Sequence, residues 1–101
     1  YTFGFKEIIR QLPEVEMVVF RMEKVPHIDQ SGMYAIDDAI DELVKKKVEV
    51  AIVGIQTQPE DMLRKIQLIP SSVPEKSVYK EFEDLIDDLH KRYKNGEENG
   101  E

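Results

Sequence analysis

The chain has 101 residues, a formal net charge of −7 and no cysteine, which fits one domain with a modest core and excludes disulfides and thiolate chemistry. The balance of 14 Lys and Arg against 21 Asp and Glu disfavours a nucleic-acid partner, because phosphate binding needs a basic face. The longest apolar runs, MVVF and VAIVGI, are far shorter than the ~20 residues of a membrane span, and no signal peptide is visible.

The first elements alternate between strand and helix. Residues 1–3 are typical of the end of a strand, and residues 5–12 predict a helix that Pro13 ends. Residues 15–22 are β-branched and apolar with few interruptions. Such a run is typical of a parallel strand that is covered on both faces.

A second helix is predicted directly after the turn at residues 29–32. Its apolar positions recur at helical spacing and are Met33, Ile36, Ala39, Ile40 and Leu43. The lysines at 45–47 close it, where cations suit the negative end of the helix dipole. Residues 48–55 then predict a second central strand.

The second half of the chain continues the alternation. Residues 57–60 are predicted to be a loop with Pro59 at a first helical position, followed by a short helix with Met62, Leu63 and Ile66 facing inward. Residues 69–77 predict a loop with two prolines, and residues 78–79 a short third strand. The last helix is predicted from about Glu81 to Tyr93.

This alternation predicts an α/β layer fold with a mainly parallel or mixed sheet and about four helices. In such sheets, ligands bind outside the carboxyl ends of the strands. The stretch VPHIDQSGMYAIDDAIDEL, residues 25–43, lies at one of these ends. It is therefore the first place to look for a functional site.

Three residues of the turn allow both a structural and a functional interpretation. Ser31 either caps a helix that starts near Gly32 or Met33, or it helps the exposed amides around Gly32 to hold an anion. Asp29 is a structural acceptor of loop amides, a base or a metal ligand. Gly32 indicates close packing or an unusual backbone conformation. No glycine-rich phosphate loop supports the anion interpretation.

Elsewhere, the sequence shows no group of residues with the spacing that catalysis or metal binding requires. His27 and His90 are far apart in sequence and neither has a second ligand at metal spacing, so no metal site is predicted. No serine has an identifiable base, so no catalytic residue is predicted. The carboxylates of IDDAIDE and FEDLIDD fall mostly on outer helix faces, which is typical of solvated surfaces.

The turn and its flanks resemble the STAS domain, named for sulfate transporters and anti-sigma factor antagonists. VVFRMEKVPHIDQSGMYAIDDAIDEL is similar to the family's strand, Asp-x-[Ser/Thr]-Gly turn and helix. KKKVEVAIVGIQTQPEDMLRKIQLI and VPEKSVYKEFEDLIDDL are similar to the strands and helices that follow. YTFG, FKEIIRQLPEVEMVVFRM and VPHID most resemble the version fused to SulP-type anion transporters.

Two departures from the family pattern qualify what the resemblance implies. The family's phosphorylated Ser or Thr follows the turn's Asp directly, whereas Gln30 stands there and Ser31 takes the next position. The family usually has several residues between the FG of the first strand and the Phe that begins the first helix, whereas here Gly4 is directly followed by Phe5. The strand or strands that precede this point in the family are also missing. The resemblance thus implies a STAS domain over residues 1–94, without its N-terminal strand or strands. The closing stretch KNGEENGE has no apolar residue, which predicts a disordered polar tail over 95–101.

The resemblance implies a non-catalytic regulatory module at the cytoplasmic face of the inner membrane, as the C-terminal domain of a sulfate or related anion transporter. His27, Asp29, Gln30, Ser31 and Gly32 would form its ligand- or partner-binding loop. Its partner would be the membrane domain of the same transporter. A second copy of the chain or a cytosolic protein would be a further partner. No cofactor is expected, with a nucleotide left open because some relatives bind guanine nucleotide.

A second function class stays open. A free-standing anti-sigma factor antagonist would act as a soluble phospho-switch, and in this chain only Ser31 could serve as the phosphoacceptor of the turn. Phosphorylation there would add about −1.5 to −2 charges at the start of a helix and could change how a partner docks.

Overall fold

The computed structural model describes residues 15–99, and side chains up to residue 95. Its regular elements are β1 (Met17–Arg21), α1 (Gln30–Lys45), β2 (Glu49–Val53), α2 (Thr57–Lys65), β3 (Val78–Tyr79) and α3 (Phe82–Asn99). The strand predicted at residues 1–3 and the helix predicted at residues 5–12 lie outside the described residues. None of the helices in the described part is both long and apolar enough to span a membrane.

The three strands form one parallel sheet in the order β1-β2-β3. Val19 lies opposite Ala51 in the β1–β2 pair, and Ile52 lies opposite Val78 in the β2–β3 pair. Parallel neighbours need a crossover connection, and α1 and α2 supply these crossovers between successive strands. The predicted α/β fold with a mainly parallel sheet is confirmed.

The central strand β2 separates two apolar clusters because its side chains alternate between the sheet faces. Val50 and Ile52 join the larger cluster, which α1 and α2 cover. Ala51 and Val53 join the smaller cluster with Leu85 of α3. The residues of β1 contribute to the two clusters in the same alternating way, so β1 is packed on both faces, as its composition predicts.

Helix α2 begins earlier than the sequence predicts. Residues 57–60 are helical rather than a loop, and Pro59 is the third helical residue rather than the first. The first turn of a helix has no intrahelical acceptor for its N–H groups, so a proline there loses no bond. The first amide to bond is that of Glu60, which donates to the carbonyl of Gln56 at 3.0 Å.

The connection from α2 to β3 contains more local structure than the predicted loop. Leu68–Ser72 forms an irregular helical turn in which Ile69 is extended, and Glu75–Ser77 forms a short 3₁₀ turn. The guanidinium of Arg64 donates to both carboxylate oxygens of Glu75, at 2.6 and 2.9 Å. This fork ties the turn before β3 to α2 and holds the pKa of Glu75 below its usual range.

Helix α3 extends past the predicted end at Tyr93 and continues to Asn99. Residues 95–99 of the predicted disordered tail are therefore helical, and the last two residues lie outside the described range. Leu85 is buried against the sheet, whereas Ile86 and Tyr93 are exposed. The helix thus rests on the sheet through a narrow apolar contact.

Polar contacts extend this narrow contact between α3 and the sheet. The hydroxyl of Tyr79 donates to Asp88 at 2.7 Å, and Arg92 donates to Glu49 at 3.0 Å. At the start of the helix, the guanidinium of Arg21 lies 4.1 Å from the centre of the Phe82 ring, an arrangement that favours a cation–π interaction. These contacts join α3 to all three strands.

We expect the Tyr79–Asp88 contact to make stability depend on pH at the alkaline end. Burial, and then the hydrogen bond to Asp88, raise the pKa of Tyr79 from 10.0 to about 12. Because the raised pKa favours the neutral phenol in the folded state, its stabilisation is present below pH 10 and is lost as the pH rises to about 12. Denaturant unfolding across this window should show a shallower loss in Tyr79→Phe than in the unmodified chain. Equal losses in both proteins would contradict the assignment.

Candidate functional site

The start of α1 is capped by Asp29 rather than by Ser31. Asp29 has an extended backbone, and its carboxylate accepts the Gly32 N–H at 2.8 Å. The helix begins at Gln30, which makes Ser31 its second residue. The prediction that Ser31 caps the helix is therefore wrong, because Ser31 already lies inside the first helical turn and the Met33 N–H donates to the Asp29 carbonyl at 2.9 Å. Of the interpretations left open for Asp29, the structural acceptor of a loop amide is the one observed.

Gly32 has an ordinary backbone conformation within the first turn of α1. A β-carbon added there would lie 3.4 Å from Asp29 Oδ1 and 3.6 Å from Ile28 Cβ, which are ordinary contact distances, and its φ is not in the left-handed region. Both predicted reasons for this glycine, close packing and an unusual backbone, are wrong. No steric requirement for glycine remains at this position.

The five predicted site residues form one surface stretch, which we call the exposed turn (His27 and residues 29–32). His27, Asp29, Gln30 and Ser31 are exposed, and Gly32 is half-buried. The side chain of Gln30 extends this surface along α1 by donating to the hydroxyl of Tyr34 at 3.4 Å, and Tyr34 is itself 53% exposed. The turn is thus open to an approaching molecule, and its binding role stays a prediction.

Two glutamines that the sequence analysis did not single out contact the segment that joins β1 to α1. Gln58 makes two hydrogen bonds to the backbone of Ile28, and Gln56 donates to the carbonyl of Glu23 at 2.8 Å. Both follow β2, whose carboxyl end lies beside that of β1 in the parallel sheet. That adjacency was the available signal, since residues after neighbouring parallel strands meet at one edge.

Among the described side chains, acidic groups gather on α1 rather than at the exposed turn. Carboxylate oxygens of Asp37, Asp38 and Asp41 lie within 4.8 Å of one another, and neither His27 nor His90 joins them. Burial, followed by repulsion from Asp41 and Asp38, raises the pKa of Asp37. Asp38 and Asp41 are exposed, which agrees with the predicted solvated face.

A small polar cavity of about 190 Å³ lies between the sheet and α3. Its lining residues are Glu49, Lys76, Ser77, Tyr79, Asp88 and Arg92. Four of them already pair with one another in the contacts that hold α3. The cavity is therefore part of the attachment of the helix and does not include the exposed turn.

We expect Asp29→Ala to lower the free energy of unfolding by about 0.5–2 kcal/mol, because it removes the acceptor of the Gly32 N–H. Ser31→Ala should change it by less than about 0.5 kcal/mol, since Ser31 is exposed and follows the cap position. Urea unfolding of both variants, followed by circular dichroism, measures the difference. A larger loss in the Ser31 variant would return the capping role to Ser31.

Together, the parallel three-stranded sheet, its crossover helices and the exposed turn define an α/β domain with an open surface at the carboxyl end of β1. The family model of the STAS domain matches residues 5–85. The chain belongs to the STAS domain family.

One transporter sequence and one solved structure are similar to this chain. It is 31% identical over 77 residues to the bicarbonate transporter BicA from Synechocystis sp., an alignment that covers 76% of this chain and 14% of the transporter. Its fold matches the STAS domain of a SulP transporter from Vibrio cholerae with a TM-score of 0.78 and 22% identity, over 93% of this chain and 73% of that one. The predicted resemblance to STAS domains of SulP-type transporters is confirmed.

Proposed function

We propose that this chain is the cytoplasmic STAS domain of a membrane anion transporter, in which it serves as a non-catalytic regulatory and interaction module. The observation that carries the proposal is the 31% identity to the bicarbonate transporter BicA across 76% of this chain. The chain spans only 14% of that relative's length. Translocation of bicarbonate, sulfate or a related anion is accordingly assigned to a membrane domain, with this chain at the cytoplasmic face of the inner membrane.

The exposed turn supports an interaction role because it presents groups that can receive a partner. The N–H groups of Gln30 and Ser31 belong to the first turn of α1, where an α-helix offers no intrahelical acceptor. The side chains of both residues are exposed beside them. An acceptor group on the transporter's own membrane domain is the proposed occupant. A second copy, a cytosolic protein or a nucleotide phosphate would use the same donors.

The coding sequence upstream of Tyr1 gives the simplest test. The proposal predicts several apolar segments of ~20 residues encoded there in the same reading frame, since each such segment spans a bilayer. A reading frame that begins shortly before Tyr1 would remove the transporter assignment.

Uptake measurements test the exposed turn in the full-length transporter. We expect Ser31→Lys to reduce uptake of labelled bicarbonate or sulfate several-fold at equal expression, because a bulky cation would disturb the donors at the start of α1. Ser71→Lys is the matched control, since Ser71 is also an exposed serine but lies in the irregular turn after α2. Equal uptake in the two variants and the unmodified transporter would exclude a docking role for the turn.

One observation favours the phospho-switch as a second candidate. The hydroxyl-bearing Ser31 is exposed and is the second residue of α1, where the positive end of the helix dipole would stabilise a phosphate. Incubation of the chain with radiolabelled ATP and a lysate of its source cells tests this function. Label that Ser31→Ala abolishes would support the switch, and equal labelling of both proteins would reject it.

A further inference from the structure

A single side chain satisfies the backbone of Ile28, the buried residue between His27 and Asp29 of the exposed turn. Gln58 is the second residue of α2. Its Oε1 accepts the Ile28 N–H at 2.9 Å, and its Nε2 donates to the Ile28 carbonyl at 3.0 Å. Both contacts are partly buried. The glutamine amide therefore pairs with both backbone groups of Ile28, as the backbone of a neighbouring strand would in a sheet.

A second glutamine fixes the other end of the same connection. Gln56 lies just before α2 and donates through Nε2 to the carbonyl of Glu23 at 2.8 Å. The segment that joins β1 to α1 is thus held near both ends by the β2–α2 connection. Between these points, Pro26 and His27 are exposed, whereas Val25 packs against the larger apolar cluster, so the segment is held by polar contacts and by burial together.

The position of Ile28 determines the geometry of the exposed turn. Its side chain is 8% exposed and packs in the larger apolar cluster. Asp29 follows directly and caps α1 through the Gly32 N–H. A backbone that is fixed at Ile28 therefore aims the Asp29 carboxylate at Gly32 and sets where Gln30 and Ser31 emerge.

We propose that Gln58 is the positioning residue of the exposed turn and couples that turn to α2. A partner then meets a preformed surface and does not have to order a loop on binding, which lowers the entropic cost of association. This inference rests on the docking role proposed above for the turn. It assigns to Gln58 no contact with the partner itself.

Hydrogen exchange of backbone amides in this chain tests the positioning. Gln58→Leu keeps the apolar stem but removes both the donor and the acceptor, so exchange of the Ile28 and Gly32 amides should accelerate about tenfold. The amide of Ile52 in the central strand should keep its protection. Thr57→Val is the matched control, because Thr57 is the exposed neighbour of Gln58 in the same helical turn.

A second variant separates positioning from a general loss of stability. In Gln58→Glu, the ionised carboxylate still accepts the Ile28 N–H but repels the Ile28 carbonyl, whereas the protonated acid can donate to it. The Asp29 carboxylate accepts the Gly32 N–H in every variant, so protection is compared with that of the unmodified chain at the same pH. On this comparison, the protection of Gly32 in Gln58→Glu should recover on acidification. Unchanged protection of Gly32 in both variants, or an equal loss at Ile52 that acid does not reverse, would overturn the proposal.

The two proposals can fail separately. Altered exchange in the Gln58 variants with unchanged uptake in the Ser31→Lys transporter would retain the positioning and reject docking at the turn. Normal exchange in the Gln58 variants with reduced uptake in Ser31→Lys would retain docking and reject the positioning. If both hold, the full-length Gln58→Glu transporter should lose uptake as Ser31→Lys does.

Discussion

Leu43→Ala is expected to lower the free energy of unfolding by about 2–5 kcal/mol, the largest effect among these substitutions. Leu43 lies on the inner face of α1, is 1% exposed and belongs to the larger apolar cluster. Truncation removes its buried methyl groups and leaves a cavity that the surrounding side chains fill only in part. Urea unfolding monitored by circular dichroism gives the change.

The adjacent residue supplies the control for this prediction. Val44 is 48% exposed, so Val44→Ala should change the free energy of unfolding by no more than about 0.5 kcal/mol. The two positions differ by one step along α1 and by which side of the helix they occupy. Comparable losses in both variants would mean that α1 does not bury the face assigned to it.

Gly54→Ala is expected to lower the free energy of unfolding by about 1–3 kcal/mol. Gly54 follows β2 with a φ of +70°, a left-handed conformation that side chains rarely adopt. An added β-carbon would also lie 2.5 Å from Glu23 Cγ, so the Glu23 side chain would have to move and release Arg21, to which it pairs at 2.9 Å. Thermal and urea unfolding both measure this loss.

Gly32→Ala is the informative counterpart. Gly32 lacks the left-handed φ, and a β-carbon there makes only ordinary contacts. Because alanine favours the helix and restricts the unfolded chain, the free energy of unfolding should rise by up to about 1 kcal/mol. The glycine that stands in the recognisable turn motif is therefore expected to tolerate alanine, whereas the less conspicuous Gly54 is not. A large loss at Gly32 would contradict the helical conformation assigned to it.

The two glycines illustrate how the fold supports an interaction surface. Gly54 allows the β2–α2 connection to pass close to Glu23. That same connection carries Gln56 and leads into Gln58 of α2, and both glutamines contact the segment that joins β1 to α1. The turn is thus held by a neighbouring connection rather than by its own contacts alone. A surface that is ordered in advance favours binding because less conformational entropy is lost.

The regular elements of this domain could be predicted from local patterns. The apolar period of residues 33–43 and the lysines at 45–47 predict a helix that agrees with α1, and the two β-branched runs contain β1 and β2. The alternation of strands and helices predicts a parallel sheet, because consecutive parallel strands need a crossover. The predicted helix start at residues 29–32, after β1, also agrees with the structure.

The ends of the helices and the residue that caps α1 could be predicted less well from the sequence. The patterns placed Ser31 at the cap and Pro59 at the first helical position, whereas Asp29 caps α1 and Pro59 is the third residue of α2. Neighbouring residues of similar type can each fill such a role, and the choice depends on backbone angles that packing sets. The helical conformation of residues 95–99 was missed for a related reason, since a polar segment carries no apolar period.

The sequence by itself determined the α/β class, the family and the position of the turn, because periodicity and motif order are local properties of the chain. Only the tertiary structure decided that Gln58 satisfies the backbone of Ile28, a residue 30 positions earlier in the chain, and that Gly54 rather than Gly32 needs to be a glycine. Both depend on two connections that are distant in sequence and meet at one sheet edge. The alternation of strands and helices predicts the parallel pairing of β1 with β2, but it does not predict which side chains of the two connections meet, because that depends on packing.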